Sequence, residues 1–401
     1  MLKSIRPFQL HPCTPSSRLS IRCEAAKPNW AGQSKKDVVL VADIGGTNCR
    51  FELWQTPEGG GQRLLEKTYR TKTYTTFQDA LDALAAEPAF IRNPPSSAAF
   101  ACAGPVLDNK CIMTNLSWTI DGHYLSKLYG IKFAVLNDFQ ANGYGIPALE
   151  SHDLITLNDM PARPQAPKVV LGPGTGLGEA QLMWDESLGT YKVWPGEGSH
   201  GDFGPRGWKQ RALAGYVESQ IGYCETEHVA CGSGLERIYE FLLTDPTFRQ
   251  STTKRHAKDA PAITKAALDE SDHLAVEAVD LMMAIVGQEA ARMGLACLAI
   301  GGVYICGGIF PRLKTRMQKG TVLEAFLHSN SRFYHLLRTF PLHVVTNSSL
   351  GLLGARQYAS FLLTNPAFGK DLQVQNNATS PQQTSQSLAE LSKEAEPSVA
   401  L

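Results

Sequence analysis

Four apolar runs along the chain end in polar or glycine-rich turns, and their spacing sets the expected architecture. Val38-Val39-Leu40-Val41-Ala42 leads into Asp43-Ile44-Gly45-Gly46-Thr47-Asn48, and Phe133-Ala134-Val135-Leu136 leads into Asn137-Asp138-Phe139. Lys168-Val169-Val170-Leu171 opens into Gly172-Pro173-Gly174-Thr175-Gly176-Leu177-Gly178, and the run from Ala299 to Cys306 ends in Gly307-Gly308. Short apolar runs bounded by glycines read as buried strands. Between Leu274 and Phe310 the apolar character is nearly continuous, but Glu277, Asp280, Glu289 and Arg292 interrupt it. Gly301-Gly302 then divides a helical pattern from a strand pattern, which predicts a buried helix followed by a buried strand and no membrane span.

Composition fits that picture of a large α/β protein. With 401 residues, of which 43% are hydrophobic, the chain can bury the cores of two domains. Lys and Arg number 38, as do Asp and Glu, so no charge surplus argues for nucleic acid as a partner. The nine cysteines are scattered and odd in number, which makes reduced thiols the default. Cys224, His228 and Cys231 lack a Cys-x-x-Cys pair and a fourth ligand, so zinc is not expected there.

Both ends look separable from the fold. Residues 1–23 carry Lys3, Arg6, Arg18, Arg22 and five serines or threonines, have no acidic residue before Glu24, and lack the apolar core of a secretory signal. That composition is expected of an organelle transit peptide. The junction Arg22-Cys23-Glu24-Ala25 favours a plastid, with a mitochondrion as the alternative. The stretch from about 367 to 401 is rich in Gln, Asn, Ser, Glu and Lys and reads as a disordered tail.

The chemistry expected of the turns is phosphate handling. Asp43, delivered by a strand to its carboxyl end, suits a metal ion or its water; Gly45 and Gly46 let amides face a phosphate, and Thr47 and Asn48 add donors. Gly174 and Thr175 repeat the arrangement, and Gly307-Gly308 can lie flat against an adenine or ribose. Neither loop continues into Gly-Lys-Ser/Thr, so a P-loop is excluded. Asp138 at a cleft rim suits a proton acceptor with Asn137 beside it, while an Asn-Asp turn that merely caps the next helix is the plain alternative. Glu197 and His200 sit in the glycine-rich loop Pro195-Gly196-Glu197-Gly198-Ser199-His200. They suit vicinal hydroxyls, or else a surface turn. Glu227, before Cys231-Gly232-Ser233-Gly234-Leu235, is a second carboxylate or a solvated residue.

Taken together with Thr114-Asn115-Leu116-Ser117-Trp118 and the segment Gly307 to Pro311, these motifs resemble the bacterial-type glucokinases in order and spacing, over roughly residues 37–366. The resemblance implies the two-domain sugar-kinase and actin-like (ribonuclease H-like) α/β fold with an interdomain cleft. A small domain at 37–148, completed by about 350–366, would face a large one at 149–349, with residues 1–36 as leader and linker. It also implies ATP, Mg2+ and glucose, phosphorylation of the sugar 6-hydroxyl with Asp138 as base, and glucose contacts from Asn137, Asp138, Glu197, His200 and Glu227. Asp43 to Asn48 would face phosphates and metal, Gly174 and Thr175 the second phosphate contact, and Gly308 the adenosine. Pro173 and Ser199 depart from the pattern, and Pro173 withdraws one backbone donor. A kinase for another hexose and a non-catalytic sugar sensor are the competing readings, and a homodimer stays open.

Overall fold

The computed structural model describes residues 30, 32, 37–56, 61–113, 116–248 and 257–365. The leader, Thr114, Asn115 and the tail beyond 365 lie outside the described residues. Val38–Ile44 (β1), Asn48–Gln55 (β2), Gln62–Arg70 (β3) and Ser97–Cys102 (β4) come first, then the short strands Val106–Leu107 (β5), Lys110–Ile112 (β6) and Thr119–Asp121 (β7), then Lys132–Asn137 (β8). Leu154–Thr156 (β9), Lys168–Pro173 (β10), Leu177–Asp185 (β11), Thr190–Gly196 (β12), Val303–Ile305 (β13) and Leu342–Val345 (β14) follow.

These strands form two main sheets of one design. The first has the order β3-β2-β1-β4-β8, the second β12-β11-β10-β13-β14-β9, and β5-β6-β7 make a small third sheet. In each main sheet an antiparallel meander, β1-β2-β3 or β10-β11-β12, joins parallel strands, β4 and β8 or β13 and β14. β1 and β10 are apolar at nearly every position because both of their faces are covered, as interior parallel strands require. On one face of the first sheet lies an aromatic core of Phe51, Phe77, Phe100, Phe133 and Trp118. On the other face the helix Leu350–Thr364 packs on β1 and β4, so the end of the described chain returns to the first sheet.

The apolar stretch after Leu274 divides as the pattern predicts. The helix His273–Cys297 ends at Leu298 in the left-handed conformation, and β13 follows. Among the described residues, no helix is long and apolar enough to cross a membrane.

One boundary differs from expectation. The pattern places the start of the fold near Val38, yet Trp30 is only 2% exposed. Its ring stacks on Tyr129 at 4.0 Å and meets Phe90 edge-on at 4.9 Å, and its amide donates to Tyr129 O. A lone tryptophan in a polar segment shows no periodicity, so its burial against two distant rings is invisible to pattern reading.

Candidate active site

The two sheets bring their parallel strand ends to one cleft, the usual position for ligands in open α/β sheets. A cavity of about 450 Å³ there is lined by Asp43 at the end of β1 and Asp138 just beyond β8. Gly307 and Gly308 beyond β13, and Thr346, Asn347 and Ser348 beyond β14, line its other side. Arg312 and Asn347 were not singled out from sequence; the polar cluster after β14 hints at Asn347 alone.

Asp138 opens the helix Asp138–Gly145, and Asn137 is its cap: Asn137 Oδ1 accepts from the Phe139 and Gln140 amides at 2.9 and 3.3 Å. Asn137 Nδ2 donates to Gly104 O at 3.3 Å, so in this conformation its side chain is engaged as a cap. Asp138 is half-buried at the cleft. Burial pushes its carboxyl up to about 6, a Phe139 amide bond at 3.0 Å opposes this, and the charge of Asp43 adds to it. Asp43 meets cleft solvent on one side and protein on the others. Desolvation therefore raises its pKa, against the pull of Arg50, its partner in the β1–β2 register. Arg50 is fixed in turn by Glu52 at 2.8 Å and by Ser349 Oγ at 3.0 Å, which ties β2 to the loop after β14.

The turn after Asp43 is tight. Gly45 donates its amide to Asn48 O at 3.0 Å, and Thr71 clamps the loop from behind through Gly46 O at 2.8 Å and Thr47 O at 3.0 Å. The Gly45 amide thus closes the turn, contrary to the expectation that it faces a phosphate. Thr47 and Asn48 are exposed.

In the second loop, two glycines beyond Gly174 have a steric role. A Cβ at Gly178 would lie 2.0 Å from the Phe139 ring, and one at Gly176 would lie 2.4 Å from Glu227 Oε2. These two positions are glycine because side chains from elsewhere press onto them. Glu227 Oε2 also accepts from the Leu177 amide at 2.8 Å, so this carboxylate braces the loop that carries Gly174 and Thr175. Thr175 is exposed, and the Gly174 carbonyl accepts from the Gly232 amide at 2.8 Å, which joins the loop to the helix Gly232–Thr244. Across the cleft, Gly307 adopts φ +92, where a Cβ would meet Pro173 O at 2.7 Å, while Gly308 has open space around it.

The loop beyond β12 brings Glu197 and His200 together, with His200 Nε2 3.8 Å from Glu197 Oε2. His200 Nδ1 is 2.9 Å from Glu225 Oε2, a bond that raises the histidine's pKa. When Nδ1 carries its proton toward that carboxylate, Nε2 is left as an acceptor for a hydroxyl. Glu225 escapes the sequence reading because 25 positions separate it from His200. An isolated bridge between Asp202 and Glu225, with the Phe203 amide on Cys224 O, brings the two segments side by side. Nearby, Cys231 caps the helix Gly232–Thr244 through its sulfur, 3.4 Å from the Gly234 amide. Among the described residues, no group of three or more His, Cys, Asp or Glu is placed to hold a metal ion.

Asp43 and Asp138 stand on one wall of the cleft, and the charge of Asp43 raises the pKa of Asp138. Mg2+ is commonly held by one or two carboxylates with phosphate oxygens completing its shell, so Asp43 fits that ion with a bound nucleotide.

Comparison with known proteins places the chain in a family. The family model for glucokinase matches residues 40–361. A glucokinase of Synechocystis sp. is 36% identical over 342 residues, covering 79% of this chain and 96% of the relative. One of Nostoc sp. is 33% identical, covering 81% and 99%. The crystal structure of a glucokinase from an Antarctic psychrotroph superposes with a TM-score of 0.73 at 25% identity, over 80% of this chain and 98% of that one. With the family model spanning both sheets and the cleft between them, the chain belongs to the glucokinase family.

Proposed function

We propose that the chain transfers the terminal phosphoryl group of ATP to the 6-hydroxyl of glucose, with Asp138 accepting the hydroxyl proton. The observation that carries this reading is the placing of Asp138, half-buried, on the wall of the cleft beside Asp43. Its pKa of about 6 leaves it ionised at neutral pH yet basic enough to take up a proton in the transition state. Mg2+ bound with the nucleotide would neutralise charge on the β- and γ-phosphates. Asp43 would hold that ion, directly or through water, and Thr47, Asn48, Gly174 and Thr175 would flank the phosphates. Gly308, with nothing within 4 Å of a Cβ there, leaves room for the adenosine. Glu197, His200 and Glu227 would hold the sugar, and closure of the cleft would exclude water so that the phosphoryl group reaches glucose. The test is a coupled assay for glucose 6-phosphate with protein lacking residues 1–23, which keeps Trp30. Absence of ATP-dependent product would end this reading.

The sugar loop has its own test. Glu197→Gln and His200→Ala are each expected to weaken glucose binding by roughly 1–3 kcal/mol, because each leaves a buried hydroxyl or its partner unsatisfied. Nucleotide affinity should stay at its wild-type value. Calorimetry showing wild-type glucose affinity in both variants would return the loop to a surface turn.

The leader is proposed to direct import into a plastid. Residues 1–40 fused to a fluorescent protein are expected to carry the reporter into the organelle, with cleavage near Cys23. A reporter that stays in the cytosol would overturn this, and one found in mitochondria would reassign the compartment.

A further inference from the structure

Beneath the loop that carries Glu197 and His200 lies a group of charged side chains that the reaction does not use. The β11–β12 register sets Glu179 opposite Gly196, at the base of that loop. Glu179 on β11 and Glu289 on the helix His273–Cys297 are each only 4% exposed, and their carboxyl groups lie within hydrogen-bond reach of each other. One guanidinium beside two buried carboxyl groups leaves a negative charge uncompensated unless one member of the pair is the neutral acid. Arg292, one turn along the helix, holds Glu289 through Nε at 2.7 and 2.9 Å. It also reaches Glu179 Oε2 at 3.8 Å and the Gly198 carbonyl at 3.4 Å.

Gly198, between Glu197 and His200, sits directly on this group: a Cβ there would lie 2.5 Å from Glu179 Oε2 and 3.3 Å from an Arg292 nitrogen. The other oxygen, Glu179 Oε1, is buried and has no donor. A neutral acid tolerates that as a lone carbonyl acceptor, whereas a carboxylate would leave charge uncompensated. The charged groups facing Glu179 are Glu289 and Arg292 from the helix and Glu197 from the loop. Burial raises its pKa most, to about 8; Glu289 adds by charge and by hydrogen bond, Arg292 opposes, and Glu197 adds least.

We propose that Glu179, in its acid form and held by Glu289 and Arg292, is the positioning residue of the sugar loop: it is the seat on which Gly198 rests, and it sets where Glu197 and His200 point. This rests on the reading of that loop as the glucose site. Loss of the acid proton puts two carboxylates in contact under the loop and loosens its seat. Glucose affinity then falls as pH rises, while the nucleotide side is untouched.

The experiment measures glucose KM, kcat and nucleotide KM between about pH 7 and pH 9.5 for wild type, Glu179→Gln and Glu179→Ala, with melting temperatures alongside. Wild-type glucose KM should climb by about tenfold across the range, following the deprotonated fraction of a group whose pKa lies within it. Glu179→Gln should start near wild type and stay flat, because its amide donates to Glu289 at every pH. Glu179→Ala should show roughly tenfold higher glucose KM throughout, with kcat and nucleotide KM within about threefold, the pattern of lost ground-state binding. A flat wild-type glucose KM, or a Glu179→Gln profile that climbs in parallel with wild type, overturns the proposal even if Glu179→Ala fails to fold. Wild-type glucose affinity in Glu197→Gln and His200→Ala would remove the site assignment and this inference together. Weakened binding there with unaltered Glu179 variants would remove this inference alone.

Discussion

Asp138→Asn is expected to lower kcat by about a hundredfold or more while glucose affinity and the melting temperature stay near wild type. General-base catalysis typically contributes that much, and asparagine preserves the shape of the side chain and can still face the cleft. Ionisation gives the same expectation a sign. Asp138 must be a carboxylate to accept a proton, so kcat/KM should fall as pH drops through about 6, the value to which burial lifts this group. An acid limb centred near the ordinary aspartate range, or an asparagine variant turning over at the wild-type rate, would assign the proton to another acceptor.

The second large effect is expected at a position remote from any ligand. The helix Asp138–Gly145, which begins with Asp138, crosses the helix Leu350–Thr364 so closely that a Cβ at Gly354 would lie 1.7 Å from Ala141 O and 2.7 Å from the Gly145 amide nitrogen. A Cβ at Gly145 would in turn lie 2.7 Å from Leu350 O. Backbone meets backbone here, so no side chain can rotate away. Gly354→Val is therefore expected to cost about 3 kcal/mol or more, the upper part of the overpacking range, and to lower the melting temperature by on the order of 5 °C or more. Turnover should fall as well, since the helices can separate only by moving Asp138. Gly215→Ala, on a helix where nothing lies within 4 Å of the added atom, should be neutral or slightly stabilising. A Gly354→Val protein as stable as Gly215→Ala would mean that the crossing can open without cost.

How much of this was legible in the sequence depends on how far the cause of each feature lies along the chain. The apolar runs that became β1, β8 and β10 announce themselves locally, and so do the turns that bring Asp43 and Asp138 to the strand ends. Sequence also separates the long helix from β13, because Gly301-Gly302 breaks the pattern where the period changes. What it cannot separate is two uses of one residue. A glycine that exposes an amide to phosphate and a glycine that makes room for Phe139 look identical in sequence, because both are defined by the atom they lack. Asn137 shows the same ambiguity, since capping and substrate binding call for the same amide. Glu225 and Glu179 went unread, and Glu289 was read only as a break in an apolar run, for another reason: each gains its meaning from a partner on a different element, brought near only by the fold.

Trp30 limits where the chain can be cut. Its ring fills a slot between Phe90, Tyr129 and Phe133, and emptying a slot of that size typically costs about 3–5 kcal/mol. A protein engineered to begin at β1 would expose those three rings to water. A chain cut near Cys23 keeps the plug in place, whereas one cut a few residues beyond Trp30 has a hole in the core of the first sheet.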